Sequence, residues 1–361
     1  MGMRKTIYVV DDTDTNLAMA EQALGKQYRV FTLPSAAKMF AFLTKIVPDM
    51  ILLDIEMPEM GGFEALRRLK ADARYANIPV IFLTGITETS IEAQGFEFGA
   101  VDFVGKPFSV PVLNNRISTH LRIDESIRTR TEQLQRLQSG IVQALADIVE
   151  YRDQSTGEQA DHTAIYVETL ITAMIQRGVY ANEIGVMNLE SLVSSARLHD
   201  IGKISIPDNV LKKPGKLTDA EYEKVKSHTH EGERIIDQIA SRTKNVDFLR
   251  NARLFAGGHH ERWDGNGYPR GLRGAEIPIQ CRIMAVIDVY SALISERPYK
   301  KPFNEDDAIR IIMDSAGSQF DPMITSVFVG ITDHLSAARK KQADNAAYSN
   351  VAASENFNIK A

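Results

Sequence analysis

Short apolar runs alternate with amphipathic stretches over residues 5 to 107. The apolar runs are rich in β-branched residues, which is typical of buried strands, and they read TIYVV, YRVF, DMILL, IPVIFLT and VDFVGKP. Helix-like stretches lie between them, at residues 14–26, 35–46, 61–72 and 88–98. This repeated alternation predicts an α/β doubly wound domain with a five-stranded parallel sheet and helices on both faces.

A heptad pattern follows the last predicted strand, over residues 116 to about 150. One heptad position carries His120, Ile127, Leu134, Ile141 and Ile148, and a second carries Ile123, Arg130, Leu137 and Ala144. The segment has no proline, so the pattern predicts one long helix. Two interpretations stay open: an amphipathic helix packed on its own domain, or a parallel coiled coil that makes the protein a homodimer.

The remainder of the chain predicts a second, all-α domain. Apolar residues recur at spacings of three and four in MNLESLVSSARLHDIG, EGERIIDQIASR and CRIMAVIDVYSALI. Beyond residue 337 the composition turns to Ala, Asn, Ser and Lys, which is typical of a flexible tail. We predict an α/β domain at 1–122, a helical linker at 123–150, an all-α domain at 151–337 and a tail at 338–361.

Composition excludes several classes of protein. The 361 residues are 44% hydrophobic and 25% charged, as in soluble globular proteins, and the net charge of −5 gives no electrostatic reason to bind DNA or an anionic membrane. The apolar part of MGMRKTIYVVDD is too short for a signal peptide, and no stretch reaches the length of a membrane span. The single cysteine, Cys281, excludes an internal disulfide and fits a cytoplasmic location.

Polar residues stand at the carboxyl ends of the predicted strands, where parallel sheets bind ligands. They are Asp11 and Asp12 after the first strand, Asp54 after the third, Thr84 after the fourth and Lys106 after the fifth. Helix capping would explain one of these residues but not the whole set. Three neighbouring carboxylates repel one another unless a cation lies between them, so the pattern predicts an Mg²⁺ site.

Residues 5 to about 122 resemble a response-regulator receiver (CheY-like) domain, through VVDD, LLDIEMPEMGGFE, FLTG and DFVGKPF. The resemblance implies that Asp54 accepts a phosphoryl group from a cognate histidine kinase. It also implies that Asp12 and Asp54 bind Mg²⁺ directly and Asp11 through water. The backbone carbonyl of Glu56 would be a further ligand of Mg²⁺. Lys106 would pair with the phosphoryl oxygens, and the Thr84 hydroxyl would hydrogen-bond to the phosphoryl group. Phe103 would be the aromatic switch residue.

Histidines and acidic residues are concentrated in the second domain. Two adjacent histidines precede a flexible turn in HHERWDGNGYP, at residues 259–269. The His199-Asp200 pair and two single residues complete a candidate set of four imidazoles and two carboxylates. The set is His199, Asp200, His228, His259, His260 and Asp288. Such a set suits two transition metals bridged by Asp200. We interpret His230 and His334 instead as hydrogen-bonded core residues.

Residues 140 to 330 resemble the HD-GYP domain, a subgroup of the HD metal-dependent phosphohydrolases. The motifs are ARLHDIGKISIPD, VKSHTHEG, HHERWDGNGYP and AVIDVYSALISERPYK, in which HD is His199-Asp200 and GYP is Gly267-Tyr268-Pro269. The resemblance implies hydrolysis of cyclic di-GMP to pGpG and on to GMP, with two divalent metals such as iron or manganese. The GYP turn would shape the substrate pocket and contact GGDEF-type or other regulators.

The same resemblance implies a role for each polar residue. Asp200 would bridge the metals, with His199 and Asp288 on one metal and His228, His259 and His260 on the other. Lys203, one helical turn beyond the HD pair, would act with Asp200 in catalysis and bind the substrate phosphate. Arg297 and Lys300 would bind phosphate too, since both are cations in the ERPYK stretch.

Two stretches depart from the family pattern. Ser155 and Gln159 stand where the family has an acid and a histidine, although Glu158 and His162 offer a displaced pair with four-residue spacing. Ser291 replaces another acid. We therefore expect two metals rather than three. The departures also leave an alternative open: a catalytically impaired protein that binds a nucleotide or a partner. A DNA-binding regulator is disfavoured, because no basic output domain is present.

Overall fold

The computed structural model describes residues 4–85, 89–153, 159–243, 246–295 and 301–337. The chain divides into two compact units, Met1–Gln135 and Arg136–Ala361. Within the described ranges, no helix combines the length and the apolar character that crossing a membrane requires. The predicted tail at 338–361 lies outside these ranges.

The first unit is a five-stranded parallel sheet flanked by helices, which confirms the predicted α/β doubly wound fold. Its strands are β1 Thr6–Val10, β2 Arg29–Leu33, β3 Met50–Asp54, β4 Val80–Thr84 and β5 Asp102–Gly105, in the order β2-β1-β3-β4-β5. The connecting helices are α1 Asp14–Leu24, α2 Ala36–Leu43, α3 Gly62–Ala71 and α4 Thr89–Glu97.

The alternation of side chains along β1 builds two cores in this unit. Tyr8 and Val10 face one side, where they join the buried residues of α2 and α3. Ile7 and Val9 face the other side, where they join buried residues of α1 and of the helix that follows β5. Because strand side chains point alternately to opposite faces, one apolar strand is buried on both sides.

A 43-residue helix, α5 Val110–Arg152, follows the sheet and confirms the predicted long helix. Its first turns bury Leu113 and Ile117 against the first unit. Asp102 at the start of β5 contacts this helix, with Oδ1 2.5 Å from Nη1 of Arg116 and Oδ2 3.0 Å from Nε2 of His120. Further along, apolar heptad residues are exposed: Ile123, Ile127, Leu134, Leu137, Ile141 and Ile148.

The second unit is built from helices, as predicted. They are α6 Gln159–Gln176, α7 Ala181–Ile184, α8 Leu189–Ala196, α9 Asp208–Leu211, α10 Asp219–Lys226, α11 His228–Ala240, α12 Val246–Gly258, α13 Ile279–Ile294, α14 Glu305–Asp314 and α15 Pro322–Val329. Two short 3₁₀ helices cover Ile201–Ser205 and Gly274–Glu276. Polar side chains cap several N-termini: Asn188, Thr218, Asn304 and Asp321 each accept a backbone N–H of the first turn.

Two apolar cores hold the second unit together. The larger one includes residues of α6, α13 and α15, among them Tyr166, Tyr290 and Phe328. The smaller one packs Val142 and Val149 of α5 against residues of α11 and α12. The HD motif, His199-Asp200, follows α8 and leads into the 3₁₀ helix Ile201–Ser205, which packs against α11.

Candidate functional site

Three carboxylates meet at the carboxyl edge of the sheet in the first unit. Asp11, Asp12 and Asp54 each offer an oxygen, and these atoms lie within 4.8 Å of one another. Lys106 reaches into the same place, with Nζ 2.6 Å from Oδ2 of Asp11 and 2.8 Å from Oδ1 of Asp54. Asp11 and Asp54 are buried and Asp12 is exposed. The structure thus brings together the acids and the ammonium group that the strand ends predicted.

At this edge of the sheet, burial and the ion pairs have opposite effects on the pKa values of Asp54 and Lys106. Burial raises the pKa of Asp54 above its usual value, and the contacts with Lys106 only partly offset it. For Lys106, burial lowers the pKa, but the hydrogen bonds to Asp11 and Asp54 outweigh it and the pKa is raised. An all-oxygen donor set of this kind fits a hard divalent cation such as Mg²⁺.

The other predicted receiver residues lie on the neighbouring strands or just after β3. Thr84 ends β4 and is buried, and the backbone of Glu56 hydrogen-bonds to the Asp54 carboxylate. Phe103 is buried too, with its ring 5.4 Å from that of Phe82 and 5.0 Å from that of Phe96. Phe103 therefore packs inside the domain, one residue beyond the Asp102 that contacts α5.

Two triads of metal-ligand side chains meet in the second unit. One consists of His228, His259 and His260, the other of His199, Asp200 and Asp288, and each offers ligand atoms within 4.8 Å of one another. Asp200 faces both triads. Its Oδ2 lies 3.3 Å from Nε2 of His199, and its Oδ1 lies 3.5 Å from Nε2 of His228 and 3.8 Å from Nε2 of His259. This is the geometry that a bridging carboxylate needs.

Backbone carbonyls orient the buried imidazoles. Nδ1 lies within hydrogen-bond distance of a preceding carbonyl in three of them: His199 with Ala196 at 3.0 Å, His228 with Val225 at 2.7 Å and His259 with Phe255 at 2.9 Å. These contacts favour a proton on Nδ1 and turn Nε2 towards the cluster, so that in the neutral ring Nε2 is the nitrogen that can bind a metal.

The donor chemistry fits divalent transition metals. Nε2 of His199 is buried and lies 3.3 Å from Oδ2 of Asp200 and 3.9 Å from Oδ1 of Asp288. An imidazole nitrogen that faces two carboxylates can share a metal ion with them. Four imidazoles with two carboxylates suit metals such as iron or manganese rather than Mg²⁺.

Burial also sets the protonation states of the cluster. It lowers the pKa of His228, lowers that of His259 well below its usual value, and lowers that of His260 to about 3. At His199 the negative charges of Asp200 and Asp288 outweigh burial and raise the pKa to about 9. At Asp200 burial raises the pKa, but nearby positive charge, with Lys203 foremost, outweighs it and lowers the pKa. Three of the four imidazoles are thus held neutral, which is the ligand form.

Lys203 lies between two carboxylates. Its Nζ is 2.9 Å from Oδ2 of Asp200 and 2.7 Å from Oδ2 of Asp153. Burial lowers the pKa of Lys203, but the two carboxylates outweigh it and the pKa is raised. Asp153 is a residue that the sequence reasoning missed, although it belongs to the RD pair that precedes the departing STGEQ stretch.

The other residue of that pair, Arg152, fixes the turn after the HD motif. It donates hydrogen bonds to the carbonyls of Ile204 and Ile206, and its Nη2 lies 2.6 Å from Oδ1 of Asp208. The RD pair therefore contacts the 3₁₀ helix that carries Lys203 at two points.

A glycine allows the HD turn to touch α11 directly. A Cβ placed on Gly202 would lie 1.9 Å from the backbone oxygen of His228 and 2.5 Å from the nitrogen of Gly232. No side chain fits at such distances. This close backbone contact brings the HD pair beside His228.

The GYP turn is attached to the cluster by short contacts. The Tyr268 ring stacks on that of His260 at 4.7 Å, and the Tyr268 N–H donates to the His260 carbonyl at 3.2 Å. Buried Glu261 accepts the backbone N–H groups of Arg270 at 2.7 Å and Leu272 at 3.0 Å. A Cβ on Gly267 would lie 2.3 Å from the nitrogen of Arg262, so the turn requires glycine there.

A cavity of about 530 Å³ opens onto the cluster. The ligand residues Asp200, His228, His259, His260 and Asp288 form part of its wall. The rest of the wall includes Lys203, Tyr222, Lys226, Arg262, Tyr268 and Gln319. The cavity is therefore large enough for a small organic ligand and carries several cations near the candidate metals.

Some predicted residues are not brought to the cluster. Within the described ranges, His162 belongs to neither triad, and its ring lies 6.1 Å from that of Tyr166. Ser291, the second departure, is buried in α13. Four residues lie outside the described residues: Ser155, Glu158, Arg297 and Lys300. The side chain of Gln159 is not described either.

The interpretation of two histidines as core residues is wrong. His230 and His334 are both exposed. His230 occupies α11 two residues beyond buried His228, so it points away from the cluster. Periodicity alone did not separate the buried from the exposed side of this helix.

Comparisons with known proteins agree with both units. A family model described as HD domain matches residues 143–324, and one described as response regulator receiver domain matches residues 7–118. A Vibrio cholerae serotype O1 protein named "Probable cyclic di-GMP phosphodiesterase" is 39% identical over 339 residues, which cover 90% of this chain and 77% of that protein.

Two further relatives extend the similarity. "Cyclic di-GMP phosphodiesterase response regulator RpfG" of Xanthomonas campestris pv. campestris is 37% identical over 291 residues, covering 76% of this chain and 73% of its own. A "Cyclic di-GMP phosphodiesterase" of Thermotoga maritima is 30% identical over 361 residues, covering 94% of each chain. The similarity therefore includes both units.

Proposed function

Because the chain belongs to the HD domain family and carries an N-terminal response regulator receiver domain, we propose that it is a cyclic di-GMP phosphodiesterase controlled through that receiver. The observation that carries the proposal is the pair of ligand triads facing each other across Asp200 at the cavity wall. The names of three relatives that match most of the chain support the same substrate.

Two divalent metals, iron or manganese, would be held by the two triads. His199 and Asp288 would bind one metal, His228, His259 and His260 the other, and Asp200 would bridge them. When bound, such a pair supplies positive charge at the phosphate and makes water a stronger nucleophile at neutral pH.

Side chains around the cluster would bind and orient the substrate. Lys203 places a positive charge beside Asp200, where it would attract a phosphodiester oxygen. Tyr268 and the GYP turn form one wall of the cavity. Arg297 and Lys300 would add two more cations. The first product would be linear pGpG, with GMP as the end product of a second cleavage.

The receiver would control this activity through phosphorylation of Asp54 by a histidine kinase. Asp11, Asp12, Asp54 and the Glu56 carbonyl would hold Mg²⁺, which supplies charge neutralisation for the incoming phosphoryl group. Lys106 and Thr84 would then bind the phosphoryl oxygens and draw their loops inward. A shift of Phe103 would reach α5 through the neighbouring Asp102.

Two kinds of protein partner follow. The exposed apolar heptad residues of α5 would pair with those of a second copy, which gives a homodimer. The GYP turn would contact regulators such as GGDEF-type proteins. A cytoplasmic location would follow from the proposed kinase and substrate, and a chain whose single thiol, Cys281, has no second cysteine to pair with supports it.

The alternative of a catalytically impaired regulator is not favoured. The Ser155 and Gln159 departures that motivate it fall outside the six residues of the two triads. The six residues offer four imidazoles and two carboxylates, which would serve as the donors of a two-metal centre. The relatives named as phosphodiesterases argue in the same direction.

The direct test is turnover by purified protein loaded with iron or manganese. We expect cyclic di-GMP to be converted to pGpG, followed by chromatography, with metal content measured on the same sample. A protein with both metals bound that hydrolyses neither cyclic di-GMP nor pGpG, with or without a phosphoryl mimic at Asp54, would exclude the proposed function.

A further inference from the structure

Helix α10 carries two cavity residues that have not been given a role, since Tyr222 lies outside the motifs and Lys226 is the unassigned lysine of VKSHTHEG. Tyr222 and Lys226 are four residues apart, so they lie on the same face of the helix. Both line the cavity that holds the metal-ligand residues. Lys226 is two residues before His228, so its position is closely tied to the cluster.

These two side chains extend a stack that begins at the cluster. The Tyr268 ring stacks on His260 at 4.7 Å, and Nζ of Lys226 lies over the Tyr268 ring at 5.4 Å from its centre. The same Nζ lies 4.9 Å from the centre of the Tyr222 ring. A cation between two aromatic rings is held by the negative faces of both.

The outer end of the stack is open to a ligand. Tyr222 is 49% exposed and lines the cavity, so part of its ring is accessible to a ligand. The Nζ of Lys226 pairs with Glu223 at 2.6 Å, but Glu223 is mostly exposed. Such a surface ion pair is weak, so a phosphate can replace the carboxylate.

The helix that carries the pair is fixed in place. Thr218 and Glu221 form a reciprocal capping box at its N-terminus, and Lys213 adds an ion pair to Glu221 at 2.6 Å. A ligand at this position therefore meets a preformed surface rather than a loop that must first be ordered.

We propose that Tyr222 and Lys226 form a nucleotide subsite, in which a purine base of the dinucleotide stacks on Tyr222 and its phosphate binds Lys226. This rests on the proposed function, since it concerns the part of the substrate that lies away from the scissile bond. Base stacking on an aromatic ring tolerates any base, so the subsite supplies binding energy more than base selectivity. The two residues are binding residues and take no part in the chemical step.

The test compares Tyr222→Ala and Lys226→Met in the full, metal-loaded protein. Both variants should raise KM for cyclic di-GMP about tenfold or more, as expected for a lost stacking or phosphate contact, with kcat within about twofold. Methyl p-nitrophenyl phosphate, a small diester without a base, should be hydrolysed as by the wild type. Tyr222→Phe and Lys224→Met are the matched controls, because one keeps the ring and the other removes an exposed lysine that does not line the cavity.

Binding of a hydrolysis-resistant phosphorothioate analogue of cyclic di-GMP, measured by calorimetry, separates the two proposals. If the wild type binds the analogue without hydrolysing cyclic di-GMP, the proposed function is wrong, and weaker binding by both variants still supports the subsite. Unchanged KM and analogue affinity in both variants would overturn the subsite, as would an equal loss with the small diester or with Lys224→Met. A wild type that neither binds nor hydrolyses would overturn both.

Discussion

Nζ of Lys203 lies 2.7 Å from Oδ2 of Asp153, a residue 50 positions earlier in the chain. The same nitrogen contacts Asp200, so Asp153 holds the lysine beside the carboxylate that faces both triads. Asp153 belongs to neither of the triads found among the described residues. Its effect on catalysis would pass through Lys203, which makes it a positioning residue.

Replacing Asp153 by Asn should lower kcat for cyclic di-GMP about tenfold to a hundredfold, the usual cost of losing an outer partner of a metal site. KM should change less, and the metal content should stay at the wild-type level. In a Lys203→Met background the same substitution should have little further effect, because the two residues act as one unit. Asp208→Asn, on an exposed partner of Arg152, is the control. Equal effects in both backgrounds would contradict the positioning role.

Removing one ligand from either triad should remove one metal. We expect His260→Ala and Asp288→Ala to reduce the bound metal from about two ions per chain to about one, since each belongs to a different triad. Elemental analysis after dialysis measures this directly. His230→Ala is the matched control, because His230 is exposed on α11 and lies outside both triads. Full metal content in the two ligand variants would argue against the proposed metal centre.

Phosphorylation should act through Asp54 alone. A small-molecule phosphodonor or beryllofluoride should change the turnover or the oligomeric state of the wild type, and Asp54→Asn should abolish the response. Asp72→Asn, on a half-buried carboxylate of the same domain outside the Asp11, Asp12 and Asp54 cluster, should respond like the wild type. A variant lacking the Asp54 carboxylate that still responds fully would show that the receiver does not control the enzyme in this way.

Acid should weaken the contact between β5 and α5. Burial raises the pKa of Asp102, but Arg116, the Phe103 N–H and His120 together outweigh it, so the pKa is lowered below its unfolded value. The ionised Asp102 carboxylate therefore contributes its full stabilisation of the folded state above its unfolded pKa of about 3.9. This contribution is lost as the pH falls through the folded pKa of Asp102. Asp102→Asn should destabilise the receiver by about 1–2 kcal/mol at neutral pH. It should also flatten the pH dependence of denaturant unfolding below about pH 4. Parallel pH profiles for the two proteins would exclude this account.

The exposed apolar face of α5 should mediate dimer formation. Leu134 is 67% exposed and Leu137 is 61% exposed, although both occupy apolar heptad positions. The double substitution Leu134→Glu and Leu137→Glu should give a monomer in sedimentation analysis, because like charges would meet across a parallel pair. Gln135→Glu, outside the heptad interface, should leave the dimer intact. A wild type that is already monomeric would refute the coiled-coil interpretation.

The α/β unit was predictable because two local signals agree there. Four of the five apolar runs lead into polar residues, and parallel strands bring those ends to one edge, so Asp11, Asp54 and Lys106 were expected to lie close together. The six residues of the two triads were predictable for a different reason. They lie in motifs that resemble those of a known family, and in that family the corresponding residues lie close together in space.

Contacts that join different motifs, or a motif and a residue outside all of them, were not predictable. Asp153 and Lys203 meet only because α5 packs beside the HD turn, and Tyr222 meets Tyr268 across Lys226 for a similar reason. The exposure of His230 was missed because α11 is amphipathic. Its buried side carries His228, a candidate metal ligand, and its other side, which carries His230, faces solvent. In each case the decisive fact is a packing direction that a single sequence does not encode locally.

Gly202 has no functional group, yet a single methyl there would overlap the main chain at His228. The spacing between the halves of the cluster is thus limited by bare backbone, which cannot relax by choosing another rotamer. Screens for inactive variants should therefore recover substitutions of Gly202 as readily as substitutions of the imidazoles. A design that transfers the cluster to another scaffold must first reproduce this backbone contact.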